Sequence, residues 1–125
     1  MSTRSQIEVI AHRKHIMLYH HWDGYPEGVG FCLLKLLESI KGKSFYYHYD
    51  DIVNRMIRKG NFEVTFGKHS DIEFYYILNL NKKTVECMEV NNWNAKMEIL
   101  RKIDLVYDAE KDVNIEEDLF KEDKE

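Results

Sequence analysis

The sequence predicts an α+β domain, in which a largely antiparallel sheet is built from hairpins and two helices pack on one face. Several segments alternate between apolar and polar residues, as strands do, and neighbouring segments are separated by short polar turns. Two segments between them carry apolar residues at helical spacing instead. At 125 residues, the chain has the usual size of a single domain.

The first elements predicted are a hairpin and a helix. Residues 6–11 and 15–22 alternate in polarity, and the polar stretch between them is typical of a turn. Asp23-Gly24 ends the second strand, and a helix is predicted to start near Glu27 or Gly28 because apolar residues then recur every three or four positions. Gly42 is the candidate stop signal of this helix.

A second helix is predicted from about Asp50 to Lys59, since Asp50 is a good N-cap. Strands are expected at 62–66, 72–80 and 84–90, whereas residues 96–107 fit a helix or a strand equally well. Tyr75 and Ile77 point away from the predicted helices. Their side chains have to be buried against something other than the helices, so we expect a homodimer or a higher homo-oligomer.

Charge divides the chain into a domain at residues 1–107 and an acidic tail at 108–125. The tail holds nine acidic residues and three lysines, a net charge of −6, which leaves +2 for the domain because the whole chain carries −4. A binder of duplex nucleic acid usually has a strong basic stripe, which is lacking here. A small anionic ligand is compatible with the mildly basic domain, and we expect the tail to be flexible.

The chain is predicted to act in the cytoplasm. No apolar run approaches the ~20 residues of a membrane span. The first residues also lack the apolar stretch of a signal peptide. The cysteines Cys32 and Cys87 are therefore expected to be free thiols.

The most informative segment is residues 19–30, where a strand passes into a helix. Asp23-Gly24 permits the positive φ of a tight turn. Gly28 and Gly30 let another group approach the backbone at a helix start, where free N–H groups form an anion site. The alternative reading is a closely packed corner with no ligand.

Aromatic residues flank this glycine segment. Trp22 and Tyr25 offer faces on which a base can stack, and the backbone of Gly28, Val29 and Gly30 would contact a phosphate. Together these groups suit a nucleotide-like ligand.

Three residues outside the segment are further candidates for ligand binding. Arg55 and Arg58 lie one helical turn apart, a spacing that would clamp a pyrophosphate, although an exposed helix face explains them as well. Trp93, in an Asn-rich loop, is a stacking residue or a lid on the core.

No metal site or cofactor is predicted. His20 and His21 are adjacent in a strand and point to opposite faces, so they do not bind one ion together. Asp23 and Glu27 would serve as acid and base with His21 in a nucleotide hydrolase, but they fit a turn residue and a helix first-turn charge equally well.

The segment 19–30, with Thr3-Arg4-Ser5 and the alternating hairpin, carries a resemblance to known proteins. Its pattern Tyr-x-His-Trp-Asp-Gly-Tyr-Pro-Glu-Gly-Val-Gly resembles a family of small bacteriophage and prophage proteins, closely over residues 3–40 and loosely to about residue 93. This family includes or neighbours the Thoeris anti-defence sponge proteins.

The resemblance implies a function. Sponge proteins bind a cyclic ADP-ribose isomer that a host TIR-domain enzyme makes, and they sequester it without cleaving it. The resemblance implies that this chain is a phage protein in the cytoplasm of its bacterial host. It also implies that the chain has no catalytic residues and forms homo-oligomers that hold the ligand. A nucleotide hydrolase, or a phage protein that binds and inhibits a host protein, is the alternative.

Overall fold

The structure is a computed structural model that describes residues 3–40, 49–67, 69–91 and 97–106. Its elements confirm the predicted α+β class, because a six-stranded, mostly antiparallel sheet is combined with two helices. The strands and helices are β1 (Ser5–Ala11), β2 (Lys14–His20), α1 (Phe31–Ile40), α2 (Tyr49–Arg58), β3 (Glu63–Val64), β4 (Phe74–Asn79), β5 (Thr84–Asn91) and β6 (Glu98–Ile103).

The sheet has the strand order β3-β2-β1-β4-β5-β6. Neighbouring strands pair antiparallel, except for β1 and β4 at the centre, which pair in parallel with Ile7 opposite Tyr76. Parallel strands need a crossover connection, and here the two helices lie in that connection. The parallel pair therefore brings the start of β4 next to the start of β1.

The main core lies between the sheet and both helices. Alternate residues of β1, such as Ile7 and Val9, face it and are fully buried. Both helices contribute an apolar stripe at helical spacing to the same cluster, as the sequence predicted. These helical core residues are Cys32, Leu33, Leu36, Leu37, Tyr49, Ile52, Val53 and Met56.

The opposite face of the sheet has a smaller core of its own. Tyr75 is only 3% exposed there and packs with Tyr19 and Met88. The chain that follows β3 crosses this face, where the Gln6 side chain donates to the Gly67 carbonyl at 2.8 Å. Tyr75 is thus covered within one chain, whereas Ile77 is half-buried. The homo-oligomer stays a prediction.

Several elements differ from their predicted extent; the strand predicted at 15–22, for example, ends at His20. The segment 62–66 is predicted as a strand, but β3 spans only Glu63–Val64. The Phe62 amide donates to Met56 at the end of α2, and beyond β3 the Thr65 amide still donates to the Met17 carbonyl at 3.0 Å. Within the ambiguous stretch 96–107, Glu98–Ile103 form a strand, β6, against β5. The first helix begins with one turn of π-helix at Pro26–Gly30, and α1 follows it directly.

Some predicted features lie outside the described residues, namely Trp93, Gly42 and the acidic tail 108–125. Within the described part of the chain, neither helix is long and apolar enough to cross a bilayer.

Candidate functional site

The corner between β2 and α1 is held to the centre of the sheet by its backbone. Asp23 adopts a positive φ of 52°, in the turn where the sequence predicted one. The Gly24 amide donates to the Thr3 carbonyl at 2.9 Å, and the Gly24 carbonyl accepts the buried Tyr76 hydroxyl at 2.7 Å. The corner is therefore fixed relative to β1 and β4.

The amides of the glycine segment are used by the corner itself. Gly28 N–H donates to the Tyr25 carbonyl and Val29 N–H donates to the Asp23 carbonyl, both at 2.9 Å. A Cβ on Gly28 would lie 2.2 Å from the Asp23 oxygen, so this position needs glycine for the close approach of its own chain. Gly28, Val29 and Gly30 are all buried. These three residues therefore form the buried interior of the corner.

Gly30 joins the corner to the last described residues of the chain. A Cβ there would lie 3.1 Å from Leu105 Cδ2 and 3.4 Å from the Tyr76 ring. The small residue thus lets the segment after β6 rest against the start of the helix. That contact builds one wall of a groove beside the corner.

The groove has a volume of about 550 Å³, which lies within the range of small-molecule sites. Three aromatic rings enter it from separate elements: Tyr25 from the corner, Phe31 from α1 and Phe74 from β4. Tyr25 is exposed, while Phe31 and Phe74 are half-buried. The other lining residues are Pro26, Glu27, Arg101, Ile103, Asp104, Leu105 and Val106.

Charges of both signs line this groove. Glu27 and Asp104 supply carboxylates, and Arg101 supplies a guanidinium whose Nε donates to Glu89 at 2.5 Å. The Tyr25 hydroxyl donates to Asp23 at 3.1 Å, and this hydrogen bond raises the pKa of Tyr25. The Tyr25 hydroxyl therefore keeps its proton at neutral pH. The groove combines stacking faces with donors and acceptors.

Trp22 is not among the residues that line the groove. Its ring centroid is 4.7 Å from that of His20, which is fully buried. The two His20 ring nitrogens face carbonyls, Nδ1 that of Trp22 and Nε2 that of Gly60 at 2.9 Å. Burial outweighs these contacts and lowers the pKa of His20. His20 thus links the end of β2, next to Trp22, to the residues that follow α2.

Arg55 and Arg58 line a separate hollow on the polar side of α2. None of its lining residues lines the groove, so the structure does not bring the two arginines together with Tyr25. The Arg55 guanidinium lies 3.4 Å from the Asp51 carboxylate one turn earlier.

The candidate acid, base and histidine have different partners. His21 Nε2 lies 3.0 Å from Glu63 on β3, and no hydrogen bond between described residues joins it to Asp23 or Glu27. In the described part of the chain, no three His, Cys, Asp or Glu side chains are grouped so as to hold a metal ion.

Of the groove lining, sequence reasoning selected only Tyr25 and Glu27, and it missed the aromatic and charged residues Phe31, Phe74, Arg101 and Asp104. Phe74 and Tyr76 lie on the same face of β4. This alternation is a local signal from which Phe74 could have been chosen as a candidate. Arg101 and Asp104 fall in the stretch whose secondary structure was ambiguous.

Comparison of the chain with protein-family models, with curated proteins and with solved structures finds no match.

Proposed function

We propose that this chain binds a small cyclic nucleotide in the groove beside the corner and sequesters it without cleaving it. The observation that carries the proposal is the meeting of Tyr25, Phe31 and Phe74 in one groove of about 550 Å³. Base stacking on aromatic side chains contributes about 1–3 kcal/mol per base and tolerates different bases. Three aromatic side chains in the lining offer such contacts.

The polar groups of the groove match the remaining parts of a nucleotide. Arg101 presents donors of the kind that bind phosphate oxygens. Glu27 and Asp104 present acceptors for ribose hydroxyls or an exocyclic amino group, a role that acidic residues take in dinucleotide sites. A ligand with a base, a sugar and a phosphate would contact both the guanidinium and the carboxylates of the groove.

The groove is also attached to rigid elements. The Gly24 carbonyl is bound to the buried Tyr76 hydroxyl, and Gly30 packs against Leu105. A site that is ordered before its ligand arrives loses less entropy on binding, which favours tight sequestration. The resemblance to phage sponge proteins agrees with such a role. A cyclic ADP-ribose isomer from a host TIR-domain system is accordingly the ligand we propose, with the host cytoplasm as the place of action.

Isothermal titration against cyclic ADP-ribose isomers and cyclic di- and trinucleotides tests the proposal. We expect saturable heat with at least one of them and recovery of the ligand with unchanged mass. Y25A should weaken that binding about tenfold, because one stacking face is lost. F66A is the matched control, since Phe66 is 94% exposed and lies outside the groove lining.

Two outcomes contradict this function. Absence of heat with every ligand would exclude nucleotide binding, and equal losses in Y25A and F66A would exclude the groove. Conversion of the ligand to a product would favour the hydrolase, whose carboxylates would then include Glu27.

A further inference from the structure

The hollow on the polar side of α2 is strongly basic for its size. It measures about 110 Å³ and is lined by Asp51, Asn54, Arg55, Arg58 and Lys59. Asp51, Arg55 and Arg58 are three or four residues apart and share one face of α2, and Lys59 directly follows the helix. Three cations and one carboxylate give the lining a net charge of +2.

Arg55 carries a hydrogen-bond donor that the described chain leaves unused. Its side chain is only 17% exposed, and its Nε atom is buried without a hydrogen-bond partner among the described residues. The Asp51 carboxylate is close, at 3.4 Å, but it makes no hydrogen bond to that atom. A buried guanidinium donor without an acceptor is unfavourable, and an acceptor placed in the hollow would relieve this cost.

Two carbonyls in the last turn of α2 are bonded by backbone amides rather than by these side chains. Basic residues near a helix end often bind its last carbonyls. At this end, however, the Arg55 carbonyl accepts the Lys59 amide at 2.8 Å, and the Met56 carbonyl accepts the Phe62 amide at 2.9 Å. These two carbonyls are therefore bonded by backbone amides, and among the described residues the Arg55 Nε atom has no hydrogen-bond partner.

We propose that Arg55 and Arg58 bind a phosphate dianion in this hollow, either as free phosphate or as the end of a phosphomonoester. The planar fork of arginine matches the oxygen atoms of a phosphate group. Liquid water takes up about 30 Å³ per molecule, so the hollow has room for one tetrahedral anion but not for a nucleoside. The site is independent of the groove, because no residue lines both.

Titration of the full chain with inorganic phosphate, followed by NMR of the arginine Nε–H groups in a phosphate-free buffer, tests this site. We expect the Arg55 Nε–H signal to shift saturably. R58Q should weaken binding about tenfold, since it removes charged donors from the anion. K82Q is the matched control, because it removes one positive charge at an exposed position outside the hollow.

A second variant tests the site in the opposite direction. D51N removes the competing carboxylate, so phosphate should bind about threefold more tightly. Binding of methyl phosphate as strongly as phosphate would assign the site to phosphomonoesters, whereas binding of phosphate alone would assign it to the free ion. An Arg55 signal that does not move, or equal affinities for R58Q and K82Q, would overturn the proposal.

Discussion

Replacement of Gly28 by alanine should destabilise the corner severely. The new Cβ would lie 2.2 Å from the Asp23 carbonyl oxygen and 3.1 Å from its carbon, and both atoms belong to the backbone. Since a carbonyl cannot rotate away like a side chain, the turn itself has to move. That movement also breaks the 2.9 Å hydrogen bond from Val29 to the same oxygen. Overpacking costs typically 1–3 kcal/mol, and the lost hydrogen bond about 1 kcal/mol more.

G30A is the matched comparison. Its Cβ would meet the flexible end of Leu105 at 3.1 Å, so we expect a loss of less than about 1 kcal/mol. Urea unfolding of both variants and the wild type measures the difference. We expect G28A to lose at least about 1 kcal/mol more than G30A. Equal stabilities of the two variants would refute the close approach described for the corner.

Three further predictions concern single groups. Y76F should lose about 1–3 kcal/mol in urea unfolding, because the Gly24 carbonyl loses its buried donor, and a loss near zero would contradict this bond. Burial lowers the pKa of His20, so the unfolded chain takes up this proton more readily than the folded one. The free energy of unfolding is therefore unaffected by His20 above the unfolded pKa of about 6.5, and it decreases as the pH falls below that value. NMR titration of the imidazole should accordingly find His20 neutral at a pH where exposed histidines are half protonated, and simultaneous protonation would contradict the burial argument. R101Q should weaken nucleotide binding about fivefold in isothermal titration, since the groove loses its guanidinium, and unchanged affinity would remove Arg101 from the site.

Local patterns explain how much of the fold could be predicted. The first hairpin follows from alternation about Ile7 and Val9, and the second helix from the stripe of Ile52, Val53 and Met56. These signals are confined to one element each. The range 96–107 is ambiguous because both periods fit it, and only pairing with β5 determines that Glu98–Ile103 form a strand.

The groove could be predicted only in part, because its residues are distant in the sequence. Tyr25 belongs to the conspicuous glycine segment, but Phe74 reaches the groove through the parallel pairing of β1 with β4. No local pattern encodes that pairing. The sequence also indicated that something approaches Gly28 closely, yet it could not distinguish a phosphate from the chain's own Asp23 carbonyl.

The central claim is that the chain holds a nucleotide in its groove and leaves it intact. Native mass spectrometry of the protein purified from TIR-expressing cells tests this claim most directly. We expect a bound mass that matches a cyclic ADP-ribose isomer, released unchanged on denaturation and lost in Y25A but not in F66A. Protein that carries no nucleotide from these cells, or that releases a cleaved one, would contradict the account.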